Sequence, residues 1–141
     1  MRALALIVAL ALSGCGVDPV LRVDGAWVRL AATPKAPAAA YFTVHGGPKA
    51  DRLLDVSSPV VIRTELHESM TAGNMASMKP IESGVEVPAG GTVEFKPGGK
   101  HAMMFNVNPG ILPPRSLPMI FVFASGERIQ VDAKVMLAGD K

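Results

Sequence analysis

The chain has 141 residues, of which 14 are Lys or Arg and 12 are Asp or Glu, for a formal net charge of +2. That length suggests one domain, and a balance so close to neutral, with basic residues scattered rather than striped, excludes a nucleic-acid or acidic-membrane surface. Aromatics are only 5%, so Val, Ile, Leu and Ala are expected to fill the core, while 14 glycines and 12 prolines favour many turns.

Residues 1–14, MRALALIVALALSG, read as an address rather than as part of the fold. Arg2 supplies a positive start, and Ala3 to Leu12 is an unbroken apolar run. It is too short to cross a bilayer as a helix, which needs about 20 residues. Ser13 and Gly14 are small, as a signal-peptide cleavage site requires. Ordinary cleavage nearby, or a short buried helix, is the plainer reading. The sharper one uses Cys15, since Leu12-Ser13-Gly14-Cys15 resembles a bacterial lipobox. Cys15 is the only cysteine. A lone thiol has no disulfide partner, and acylation gives it a role. Several acyl chains on one residue also anchor a protein far better than one chain. The expected organisation is a lipoprotein signal peptide over 1–14, a lipidated Cys15 with a short tether over 15–21, and one folded domain over 22–141. Gly16, rather than Asp, follows the cysteine. By resemblance to such lipoproteins this favours the outer membrane and the periplasmic face of the envelope.

Period-two patterns then recur between turn signals. Strands are expected at Arg22–Leu30, Ala39–His45, Asp51–Ser57, Val61–Met70, Met75–Ile81, Gly91–Lys96, His101–Val107, Pro118–Ala124 and Arg128–Leu137. The turns between them include Gly46-Gly47-Pro48, Ala72-Gly73-Asn74, Pro97-Gly98-Gly99 and Asn108-Pro109-Gly110. Thr33–Ala40, with its two prolines, reads as a loop leading into a strand. No window sustains a 3.6-residue apolar period, and Ile111-Leu112 offers at most one helical turn. Short strands at this spacing argue for an all-β sandwich.

The stretch from His67 to Met104 holds two of the three histidines, His67 and His101, with Met70, Met75, Met78, Met103 and Met104. It holds no cysteine. Neutral imidazole plus thioether is the donor set of a soft cation, above all Cu(I). If Val61–Met70 and Met75–Ile81 form a hairpin turning between Ala72 and Gly73, His67 pairs with Met78 and Met70 with Met75. Opposed Cβ atoms lie about 5 Å apart, so both members of a pair can reach one ion. The two pairs then lie on opposite faces. Along the later strand His101 and Met103 share a face, and Met104 points inward with Ala102. The expected ligands are His67, Met78, His101 and Met103. A single Met is nearly always core filler, and a lone His is more often a hydrogen-bonded structural residue. His45, at a strand end, fits that description, but the cluster does not.

The same residues are similar to those of the PCuAC family of periplasmic copper(I) chaperones, from about Ala26 to Met136. The resemblance is carried by Ala26-Trp27-Val28-Arg29, Ala39-Ala40-Tyr41-Phe42-Thr43, Glu65-Leu66-His67-Glu68, Met78-Lys79-Pro80, Val87-Pro88-Ala89-Gly90-Gly91 and Pro97-Gly98-Gly99-Lys100-His101-Ala102-Met103. The family pattern is a His, ten residues, a Met, about twenty-one residues, then His-x-Met. Here the second interval is one residue longer, and the extra residue is placed in Glu82-Ser83-Gly84. The resemblance implies a cupredoxin-like Greek-key β-sandwich that binds one Cu(I) at an exposed site. It further implies delivery of copper toward the dinuclear centre of cytochrome c oxidase subunit II, with a Sco-type thiol protein as a further partner; the chain is expected to be a monomer. A membrane-anchored copper store without an acceptor is the alternative.

An enzyme is not expected, because no nucleophile–base set, phosphate loop or HExxH motif is present. A blue electron-transfer copper site needs a Cys thiolate, and the one cysteine lies in the lipobox.

Overall fold

In the computed structural model, which describes residues 16–141, every regular element is a strand. The expected leader and Cys15 lie outside the described residues. The strands are β1 (Arg22–Arg29), β2 (Ala38–His45), β3 (Asp51–Ser57), β4 (Val61–Ala72), β5 (Met75–Pro80), β6 (Val85–Val87), β7 (Thr92–Phe95), β8 (Lys100–Val107), β9 (Leu117–Phe123) and β10 (Arg128–Met136). Nine of them fall where alternation places strands, with ends displaced by no more than two residues. The tenth, β6, is too short for a period-two signal. Ile111 and Leu112 lie in an irregular connection, not a helical turn.

The strands form two layers. One runs β5-β4-β8-β2-β1, with β7 pairing the second half of β2; the other runs β10-β9-β3-β6. A parallel pairing of β1 with β10, from Trp27↔Lys134 to Arg29↔Met136, joins them. Alternation produces the core between the layers. Leu117, Met119, Phe121 and Phe123 of β9 are buried, with half-buried residues between them. From the facing layer, Phe42 meets Phe121 edge-on at 4.7 Å and stacks on Phe95 at 4.3 Å. Around these rings Val28, Val44, Leu53, Val56, Leu117 and Ala133 are buried, so aliphatic residues fill most of the core, as expected. Each such ring contributes about 1.5–3 kcal/mol through its burial.

This core sets which way the site residues point. Ala102 and Met104 of β8 are fully buried and Leu66 of β4 is nearly so. Strand parity then sends His101 and Met103 of β8, and Glu65 and His67 of β4, to the outer face of the layer. In β1 a bulge intervenes between Asp24 and Trp27, where Gly25 adopts φ 62°. The extra residue allows Val23 and Val28, an odd number of positions apart, both to face the core, and it turns Trp27 outward against Tyr41.

Gly46 closes β2 against the turn that precedes β7. Its N–H donates to the Gly91 carbonyl at 2.7 Å, and a Cβ placed on it would meet the Pro88 carbonyl oxygen at 2.1 Å. Gly46→Ala must push two backbones apart and is expected to cost about 1–3 kcal/mol. The measurement is urea unfolding; an unchanged midpoint would mean that this turn yields freely.

Candidate metal centre

His67 and His101 are directly opposed across the antiparallel β4–β8 pair. Their rings lie edge to face with centroids 5.9 Å apart. Tyr41 stands beside His101 with ring centroids 6.5 Å apart, and Trp27 packs on Tyr41 at 4.5 Å. Burial raises the Tyr41 hydroxyl above its ordinary pKa, so it remains neutral beside the imidazoles. His101 is buried at 5% exposure although it sits on the outer face.

The two nitrogens of His101 have distinct partners. Nδ1 lies 3.0 Å from the Gly99 carbonyl oxygen. A carbonyl can only accept, so Nδ1 carries the proton and Nε2 keeps a lone pair. That lone pair faces the Met78 thioether sulfur at 3.2 Å. A thioether has no proton to share, so two electron donors confront each other. Metal bonds of about 2.0 Å to imidazole nitrogen and about 2.3 Å to sulfur would let both reach one ion at that separation.

Met78 reaches His101 by a register other than the expected one. In the β4–β5 hairpin His67 is opposed to Pro80, Ser69 to Met78, Met70 to Ser77 and Ala72 to Met75. The turn is Gly73-Asn74, with Gly73 at φ 62°. A two-residue hairpin turn with glycine first needs that positive φ, which moves the turn centre by one residue and every pairing by two. Because the shift is even, faces are preserved: Met78 still shares the outer face with His67, as a diagonal neighbour. Opposed to Ser69, it reaches His101 with its sulfur. Met70 and Met75 likewise share the opposite face, and both are exposed.

Met103 lies on the same face as His101. It is two residues further along β8, half-buried, and opposed to Glu65 on β4 and Ala39 on β2. Met104 is fully buried, as parity requires. All four expected ligands thus come to one face. They are not uniformly exposed: Met78 is 57% accessible, whereas His101 is enclosed. His45 lies apart, its Nε2 3.0 Å from Asp24 Oδ1. That hydrogen bond holds the Asp24 carboxyl below its ordinary pKa. Glu82-Ser83-Gly84, where the extra residue was placed, forms the turn between β5 and β6. It is tied to β3 by Arg52 Nη1, which donates to the Ser83 carbonyl at 3.0 Å.

The LpqE-like family model, described as "Putative lipoprotein LpqE-like", matches residues 21–135. The chain belongs to the LpqE-like family. It is 26% identical to "Putative lipoprotein Lxx21020" of Leifsonia xyli subsp. xyli (strain CTCB07), over 91% of this chain and 84% of the relative. Among solved structures it is similar to "Copper-bound PCuAC domain from PmoF2". There the TM-score is 0.68 at 20% identity, covering 86% of this chain and 97% of that one. It is also similar to "Solution structure of CuI-DR1885 from Deinococcus Radiodurans", with TM-score 0.65 at 23% identity, covering 87% and 82%. At these identities the likeness establishes the fold, which is that of PCuAC domains.

Within this LpqE-like fold the site chemistry is set by the donor types. Among the described residues no three His, Cys, Asp or Glu side chains converge to hold a metal. The donors that this face brings together are imidazoles and thioethers. That set is neutral and soft, which suits a singly charged soft cation better than Zn2+ or Ca2+. Nδ1 of His67 is buried and has no hydrogen-bond partner among the described residues. A buried polar atom left so is costly, and a metal bond would satisfy it. Glu65 is not among the residues that the spacing singles out. Its carboxylate Oε2 lies 3.0 Å from His67 Nε2. The signal was present in the alternation Arg63, Glu65, His67 on one strand face.

Proposed function

We propose that this LpqE-like protein is a copper carrier of the cell envelope that binds one Cu(I) through His67, Met78, His101 and Met103. The observation that carries the reading is the His101 Nε2 to Met78 Sδ approach of 3.2 Å, with Nδ1 already committed to Gly99. It is supported by the shared fold with domains whose names record bound copper. Thioethers suit a carrier in an oxidising compartment. They are weaker donors than thiolates, and they form no disulfides. A site with exposed Met78 on one side and enclosed His101 on the other gives an acceptor thiolate one ligand to displace first. Stepwise exchange then moves the ion without releasing it to solvent. The acceptor we propose is the dinuclear copper centre of cytochrome c oxidase subunit II, with a Sco-type thiol protein as an intermediate partner. Lipid on Cys15 would hold the domain at the periplasmic face of the envelope, a placement supported by the family's description as a lipoprotein.

Transfer is the test. Cu(I)-loaded protein mixed anaerobically with the apo copper domain of the oxidase is expected to lose its copper to that domain. Copper retained against both that domain and a Sco-type protein would mean that the protein stores copper instead.

A further inference from the structure

Three side chains alternate along the outer face of β4: Arg63, Glu65 and His67. Arg63 Nε lies 3.1 Å from Glu65 Oε1, and Glu65 Oε2 lies 3.0 Å from His67 Nε2. The carboxylate thus offers one oxygen to each neighbour. The Arg63 guanidinium rests over the Phe105 ring at 4.2 Å, and Phe105 is the residue opposed to it on β8. The arginine is thereby held over β8, and the carboxylate is held by the arginine.

As an ion pair this arrangement contributes little stability. The side chains of Arg63 and Glu65 are 61% and 40% exposed, and exposed pairs are screened by solvent. Its consequence for His67 is larger. A carboxylate accepts and does not donate, so His67 Nε2 carries the ring proton in the neutral state. The lone pair is then left on Nδ1, the buried atom that has no hydrogen-bond partner among the described residues. His101 is arranged the other way, with Nδ1 protonated toward Gly99 and Nε2 free toward Met78.

We infer that Glu65 is a positioning residue that selects the Nε2–H tautomer of His67, so that His67 presents Nδ1 and His101 presents Nε2 to the bound ion. The inference rests on the copper reading only for what Nδ1 meets; the tautomer itself is a property of the metal-free protein. Carboxylates that hold a ligating imidazole in this way orient the ring and fix its tautomer. The Glu65 charge also lies beside a donor set that has none of its own, where it offsets the charge of a cation.

Nitrogen-15 NMR of the histidine rings in metal-free protein, in mildly alkaline buffer, tests this directly. In the wild type His67 is expected to show a protonated Nε2 and an unprotonated Nδ1. Glu65→Gln keeps an oxygen that accepts and should preserve this pattern. Glu65→Leu cannot accept, so the fraction of His67 in the Nδ1–H form should rise above the wild-type level. The tautomer of His101, set by Gly99, should be unchanged in both variants and reports that the fold is intact. Cu(I) affinity should fall about 10–100-fold in Glu65→Leu and by less in Glu65→Gln. A wild-type His67 protonated on Nδ1, or a Glu65→Leu protein whose tautomer ratio equals that of the wild type, overturns the inference. Wild-type protein that binds no Cu(I) but shows the expected tautomers would overturn the copper reading and leave the role of Glu65 standing.

Discussion

His101→Ala is expected to lower Cu(I) affinity by more than about 100-fold, beyond the loss usual for a residue that merely supports a ligand. His101 is the centre of the group. It opposes His67 across the β4–β8 pair, its Nε2 faces the Met78 sulfur at 3.2 Å, and Met103 follows two residues later on the same face. Its removal deletes a donor and also the ring against which Met78 is placed. The fold should survive, because the ring lies on the outer face and not between the layers. The lost hydrogen bond to Gly99 is worth about 1 kcal/mol. The measurement is an anaerobic competition titration of soluble protein beginning at Gly16, wild type beside variant, with thermal unfolding as the control. One-to-one binding lost in a folded variant supports the site. Binding indifferent to the change would mean that the His/Met group is packing, and that the chain has kept the fold of copper-binding domains without their function.

The adjacent methionines should separate function from stability. Met103 points outward beside His101, and Met104 points inward at 0% exposure. Met103→Leu preserves shape and removes the sulfur, so it should leave unfolding within about 1.5 kcal/mol of wild type while weakening Cu(I) binding. Met104→Ala leaves a cavity between the layers and should cost about 2–5 kcal/mol of stability, with copper affinity retained in the folded fraction. Urea unfolding and the same competition titration give both readings for each variant. If Met104→Ala lost copper affinity in full while Met103→Leu did not, the parity of β8 would be reversed.

Parity is the reason so much of the site was legible. His101, Met103 and Met104 were sorted to the correct faces because successive strand residues alternate, whatever strand lies beside them. The same rule rescued Met78. Its expected partner was displaced by two residues when the turn fell on Gly73-Asn74, and an even displacement does not change face. The signal for that turn was in the chain, since Gly-Asn is a two-residue hairpin pair in its own right. Gly25 likewise marked the bulge in β1, because glycine inside a strand pattern often does. Without that bulge the alternation of β1 would send either Val23 or Val28 away from the core. Composition says how many rings exist, and the fold decided that Phe42 meets both Phe95 and Phe121.

From its sequence alone this protein has the imidazoles and thioethers of the candidate site, their softness, the strands that carry them and the face on which each lies. Those properties are local: side-chain chemistry, period-two alternation and turn residues. The tertiary structure alone decided that β8 lies beside β4 with His67 opposite His101, since any strand can hydrogen-bond to any other through the same backbone groups. It also decided which nitrogen each histidine leaves free. That choice belongs to the Gly99 carbonyl and the Glu65 carboxylate, and whether a neighbour in sequence is a neighbour in hydrogen bonding depends on where the folded backbone aims it.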